Sequence, residues 1–156
     1  MEVEVNRMHR PILVFCLLFL ACASLPAGGA GGDLKKMDGA WLGAVVEIGG
    51  KPPTEAEKNV KFKLVIQAGK YTIFFGDMKI TEGIFKLDES KKPKTLDATP
   101  ADGEFKGKIQ PAIYHLDGDE LKVVFTEPGK DRPTEFKTRD KTQEVLIVYK
   151  RQKAGK

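Results

Sequence analysis

Residues 61–75 read Lys61-Phe62-Lys63-Leu64-Val65-Ile66-Gln67-Ala68-Gly69-Lys70-Tyr71-Thr72-Ile73-Phe74-Phe75. Lysine alternates with apolar side chains across 61–64, the period-two pattern of a strand with one wet and one buried face. Beyond the Ala68-Gly69-Lys70 break, Tyr71, Ile73 and Phe75 share a face, opposite Thr72 and Phe74. Two such runs around a short glycine turn predict a β-hairpin.

The same signal recurs on both sides. Short runs rich in Val, Ile, Phe and Tyr are separated by Gly, Asp, Pro and Lys, and no strong helical stripe interrupts them. Strands are expected at 41–48, 60–67, 71–75, 79–87, 94–98, 104–109, 112–116, 121–126, 135–138 and 144–151. Two or three of these read as extensions of their neighbours, which leaves eight to ten strands. Asp117-Gly118-Asp119 supplies a second hairpin turn, because an Asp-Gly pair tolerates positive φ. Pro52-Pro53-Thr54-Glu55 predicts a break followed by a single helical turn capped by Thr54. Pro93, Pro100, Pro111, Pro128 and Pro133 punctuate strand ends. Without an internal repeat or a dividing linker, the pattern is one all-β, antiparallel domain, a sandwich or a barrel.

The bulk figures agree with one folded domain: 156 residues, 31% charged, 41% hydrophobic and a net charge of +4. They exclude a collagen-like or wholly disordered chain. They also average over a division. Arg7 and Arg10 precede an unbroken apolar run at 12–23, and both cysteines, Cys16 and Cys22, fall within it. The run is shorter than the roughly 18 to 20 apolar residues that span a bilayer, so it reads as a secretory signal. Ala21-Cys22-Ala23 offers a small-x-small cleavage site. The expected organisation is a signal peptide at 1–23, a flexible Gly-rich leader at 24–33, the β-domain at 34–151 and a disordered basic tail at 152–156. The expected location is periplasmic or extracellular, with no transmembrane helix in the mature chain. A lipoprotein anchor through Cys22 is the lesser alternative, because Phe19, Leu20 and Ala21 fit a lipobox only at the last position. Without a cysteine, the exported domain has no disulfide and no thiolate chemistry, and depends on a packed core.

Several pieces of the sequence resemble a known family. They are Gly39-Ala40-Trp41, Gly49-Gly50-Lys51-Pro52, Pro93-Lys94-Thr95-Leu96-Asp97, the stretch from Ala112 to Lys122 with its Ile-Tyr-x-x-x-Gly-Asp-x-Leu pattern, Arg132-Pro133-Thr134-Glu135-Phe136, and the closing run from Val145 to Arg151. In this order they resemble the uncharacterised exported lipocalin-like domain family typical of planctomycete bacteria. The resemblance covers about 34–151 and implies a lipocalin-like up-and-down β-barrel (calycin-like) of about 8 to 10 strands. It carries over no catalytic or binding residue. The Gly-x-Trp and the final basic residue also resemble the general lipocalin signature, which implies that Trp41 plugs one barrel end beneath Arg151, with Lys150 as the competitor.

Groups suited to chemistry are sparse. After residue 23 there is one histidine, His115, and two serines, Ser24 and Ser90, and nothing aligns them as a triad. His115 with Asp117 falls short of the three or four ligands of a zinc site. Asp117, Asp119 and Glu120 lack the spacing of a calcium loop, and Asp97, Asp102 and Glu104 have no legible acid/base pairing. No Gly-rich loop leads into a helix. Lysines at 91, 92 and 94 and the basic residues at 150, 151, 153 and 156 read as solvated surface, which leaves nucleic acid out as a partner. The expectation is a non-enzyme with no catalytic residue, cofactor or metal.

Binding is the open function. Small barrels enclose one ligand at their open end. Phe62, Tyr71, Phe75, Phe85, Phe105, Tyr114 and Phe125 are the expected pocket lining, with Phe74, Phe136 and Tyr149 completing the aromatic set. If they enclose space, the partner is a small hydrophobic or amphipathic ligand. If they fill it, the domain acts through its surface as an envelope interaction or structural protein.

Overall fold

A computed structural model describes residues 32–153. The expected signal peptide, both cysteines, most of the expected leader and the end of the expected basic tail lie outside the described residues. Eight strands form a closed barrel in chain order: β1 (Gly39–Ile48), β2 (Lys61–Gln67), β3 (Lys70–Phe75), β4 (Met78–Asp88), β5 (Lys94–Pro100), β6 (Gln110–Asp117), β7 (Glu120–Phe125) and β8 (Val145–Arg151). Each pairs antiparallel with its successor, and β8 closes on β1. Closure leaves no unpaired sheet edge. Among the described residues, no helix is long and apolar enough to cross a membrane.

The β2–β3 hairpin turns through Ala68 and Gly69, both at positive φ. That conformation is unusual for alanine, and the Asp38 carboxylate supports it by accepting the Ala68 N–H at 2.8 Å. Leu64, Ile66 and Tyr71 point into the barrel and are buried, while Lys61 and Lys63 are exposed. Thr54 caps α2 (Glu55–Asn59) in a reciprocal capping box with Glu57.

Two expected strands do not form. The segment 104–107 is a turn, because Gly103 and Gly107 take positive φ and reverse the chain between β5 and β6. Its backbone bonds are local, Lys106 N–H to the Gly103 carbonyl and Lys108 N–H to the Phe105 carbonyl. Residues 135–138 lie in the long β7–β8 connection on the outer wall. There Phe136 covers Ile113, Val124 and Leu146, which face outward from three adjacent strands. The backbone N–H groups of Thr138 and Arg139 go to the Glu47 and Glu144 carboxylates instead of to a neighbouring strand. Arg132 fastens the same connection to β5 and β6, donating to the Leu96 and Ala112 carbonyls at 2.9 and 2.7 Å and pairing with Asp97.

One end of the barrel is shut by α1 (Gly32–Met37), which takes in Gly32 and Asp33 from the expected leader. Met37 is fully buried against Trp41 and the core. Asp33 is 4% exposed and accepts from Lys94 Nζ at 2.5 Å and the Tyr114 hydroxyl at 3.2 Å, while its own N–H donates to Glu89. A helix of six residues is not stable alone; these tertiary bonds hold it across the barrel end.

Candidate functional site

Trp41 begins the closed end. It is fully buried, and its indole N–H donates to the Met37 carbonyl at 2.8 Å, which links the barrel wall to α1. Barrel closure pairs Trp41 with Arg151, and the guanidinium carbon sits 4.1 Å from the Trp41 ring centroid. Arg151 donates to the Asp38 carbonyl at 2.8 Å and to the Lys36 carbonyl, and pairs with Asp119 at 3.2 Å. Lys150 points away and pairs with Glu120. The pair is structural: it seals the end and leaves no face of the indole free for a ligand. Arg151→Ala is expected to lower stability by about 1–2 kcal/mol from the lost cation–π contact and hydrogen bonds. An unchanged melting temperature by circular dichroism would sink that assignment.

Above this plug the barrel holds a cavity of about 410 Å³. That volume lies within the usual range of small-molecule sites. Tyr71, Phe85, Phe105 and Phe125 line it, together with aliphatic side chains such as Leu64, Ile66, Ile73 and Val123. Phe62 lines a smaller neighbouring cavity of about 290 Å³ beneath α2, with Phe125 shared between the two. Phe75 does not line either cavity. It sits at the rim, 46% exposed, with its ring 6.4 Å from that of Phe62. Tyr114 is also outside the lining, because its hydroxyl is committed to Asp33 at the closed end. Phe74 belongs to neither lining, and Phe136 lies on the outer wall.

The inward aliphatic residues were legible as the buried phase of each strand. Tyr149 belongs with them, at 5% exposure. What alternation hides is the room around them. Gly43 pairs with Tyr149, and a Cβ there would lie 2.4 Å from the tyrosine ring. Gly83 pairs with Tyr71, and a Cβ there would lie 2.8 Å from its hydroxyl. Each tyrosine therefore lies across a glycine on the next strand, with Ala98 and Ala112 adding small surfaces to the lining.

The mouth carries the charge. Asp102 and Glu104 line it, and among the described residues no Lys, Arg or His belongs to the lining. The Asp102 carboxyl is held below its ordinary range chiefly by the Thr81 hydroxyl, which donates to it at 2.6 Å. Burial, with a smaller push from Asp102, drives the Tyr71 phenol up to about 12. Burial also raises that of Tyr149, with Tyr71 a secondary cause. Both phenols stay neutral over the physiological range.

His115 is exposed and stacks edge-on against Phe136 at 6.0 Å, far in role from any nucleophile. Ser90 bonds Asp88 in its own turn. Among the described residues, no group of three or more His, Cys, Asp or Glu is placed to hold a metal. Asp97 is engaged by Arg132, so it does not join Asp102 and Glu104 at the mouth. No family model, curated protein or solved structure matches the chain.

Proposed function

We propose that this is an exported lipocalin-like binding protein, periplasmic or extracellular, that holds a small apolar or amphipathic ligand inside the barrel and performs no catalysis. The cavity of about 410 Å³ is the observation that carries the reading. The cavity opens to solvent at its mouth and is lined mainly by apolar side chains, the form of a small-molecule site. The apolar run at 12–23, read as part of a secretory signal, supports the exported setting.

The test is native mass spectrometry of the protein purified from its own envelope, alongside an Ala98→Phe variant. Ala98 lines the cavity, and a phenyl ring there occupies ligand space. The expected result is a reproducible bound small molecule in the wild type that the variant lacks. The variant's stability should stay within about 1 kcal/mol, whereas overpacking a filled core costs about 1–3 kcal/mol. A clean apo mass together with a strongly destabilised Ala98→Phe would overturn the reading. That outcome favours the filled-barrel alternative, an envelope interaction protein acting through its surface.

A further inference from the structure

We propose that the Tyr71 and Tyr149 hydroxyls form the polar anchor of the cavity and select an uncharged apolar ligand bearing one oxygen, of the alcohol or ketone class, over a carboxylate. This rests on the binding reading above and narrows it to a chemical class.

The first support is a pair of cavity-lining hydroxyls that no other side chain or backbone group of the described residues engages. Tyr71 and Tyr149 are 8% and 5% exposed and both line the cavity. Tyr114, the third tyrosine, satisfies its hydroxyl with Asp33. No hydrogen bond among the described residues engages the other two. No side-chain oxygen sealed within the described protein lacks a partner, so these two hydroxyls border space that an occupant can reach. A ligand oxygen that accepts from either hydroxyl adds about 0.5–1.5 kcal/mol net per hydrogen bond to what apolar contact supplies.

The second support is the charge of the lining. A carboxylate in this cavity would lose its hydration and meet no lining cation, with Asp102 and Glu104 adding repulsion. Lys79 and Lys106 act on Asp102 from outside the lining, where water screens them. A neutral hydroxyl or carbonyl pays little desolvation and accepts from either phenol. The neutral phenols match it, since both resist ionisation. At about 30 Å³ per water-sized group, the cavity has room for roughly 14 non-hydrogen atoms. That suits a medium-chain or monocyclic molecule.

Their packing role is separable from this one. Each tyrosine lies against a cross-strand glycine, Tyr149 with its ring over Gly43 and Tyr71 with its hydroxyl end beside Gly83. Phenylalanine keeps both rings and deletes only the hydroxyls, which preserves the cover of Gly43 and gives up the contact beside Gly83. The experiment is titration calorimetry of the wild type, Tyr71→Phe, Tyr149→Phe and the double variant with four probes: 2-nonanone, 1-nonanol, nonanoate and the oxygen-free butylbenzene. The wild type should bind the ketone and alcohol at least about tenfold more tightly than nonanoate. The double variant should lose about tenfold or more for the ketone, as expected for one or two hydrogen bonds, and stay within about twofold for butylbenzene. Nonanoate binding as tightly as the ketone, or a double variant with unchanged ketone affinity, overturns the anchor while leaving the cavity reading intact. Failure of every probe, butylbenzene included, overturns the cavity reading itself.

Discussion

Replacing Trp41 with alanine is expected to lower the unfolding free energy by about 3–5 kcal/mol, the range for deleting a large buried aromatic. The residue is fully buried and sits where strand, helix and closure meet. Its removal opens a cavity under α1 and strips the Met37 carbonyl of its partner at 2.8 Å. It also leaves Arg151 without the ring beneath it, although the Asp38 carbonyl and Asp119 still hold the guanidinium. For a domain of this size the loss corresponds to a fall in melting temperature of roughly 10 to 20 °C. Most small domains have about 5–15 kcal/mol in total, so the variant should sit near the edge of folding. Trp41→Phe keeps most of the burial and should lose about 1–2 kcal/mol through the indole N–H and the weaker cation–π face. Thermal unfolding followed by far-ultraviolet circular dichroism reads both. A Trp41→Ala loss no larger than that of Trp41→Phe would show that the closed end is loosely packed.

Asp33→Asn should produce the second large change, and it should depend on pH. Burial acts to raise the Asp33 carboxyl, but the hydrogen bond and charge of Lys94, with help from Tyr114 and Lys36, outweigh it and hold it below its ordinary value. An aspartate in the unfolded chain titrates at about 3.9. Between the two values the unfolded state binds more protons, so stability rises with pH across that window. The contribution is complete above the unfolded value and is lost as pH falls through the folded one. At neutral pH the loss should be about 1.5–3 kcal/mol, the range for hydrogen bonds to a charged group. It stays below the figure for a fully buried pair because the Lys94 side chain is 39% exposed and water can solvate it. Urea unfolding of wild type and Asp33→Asn at pH 7 and in acid below the folded value checks this. A gap that closes in acid supports the assignment; an equal gap at both pH values refutes it.

Much of the barrel was legible because strand alternation is local. The positions 61–67 and 71–75 carry their inward and outward faces in the residue types, and the observed β2 and β3 follow them. The segments 104–109 and 135–138 misled for one shared reason. Each alternates like a strand, but neither has a neighbour to pair with, so glycine turns claim one and the outer-wall cluster claims Phe136 from the other. Alternation also fails at the cavity mouth. The bulge opposite Ile73 and Phe74 skips Ile80, so Ile80 and Thr81, successive in sequence, both reach the lining. Asp33 reads as leader in the sequence because its partners lie 61 and 81 residues away.

The site divides along the same line. An apolar interior rich in Phe and Tyr, poor in nucleophiles and metal ligands, follows from the residues alone. Which aromatics meet the cavity does not. Phe75 and Tyr114 occupy inward-facing strand positions, yet one stands at the rim and the other is spent on the closed end. By itself, then, the sequence determined the all-β class, the buried phase of most strands and the poverty of reactive groups, because each depends on residues within a few positions of one another. Only the tertiary structure decided that Arg151 lies over Trp41, that glycines face Tyr71 and Tyr149, and that about 410 Å³ stays open. Those are properties of closure: they depend on the register of eight strands at once, and a difference of one residue in any of them would change which side chains meet across the barrel.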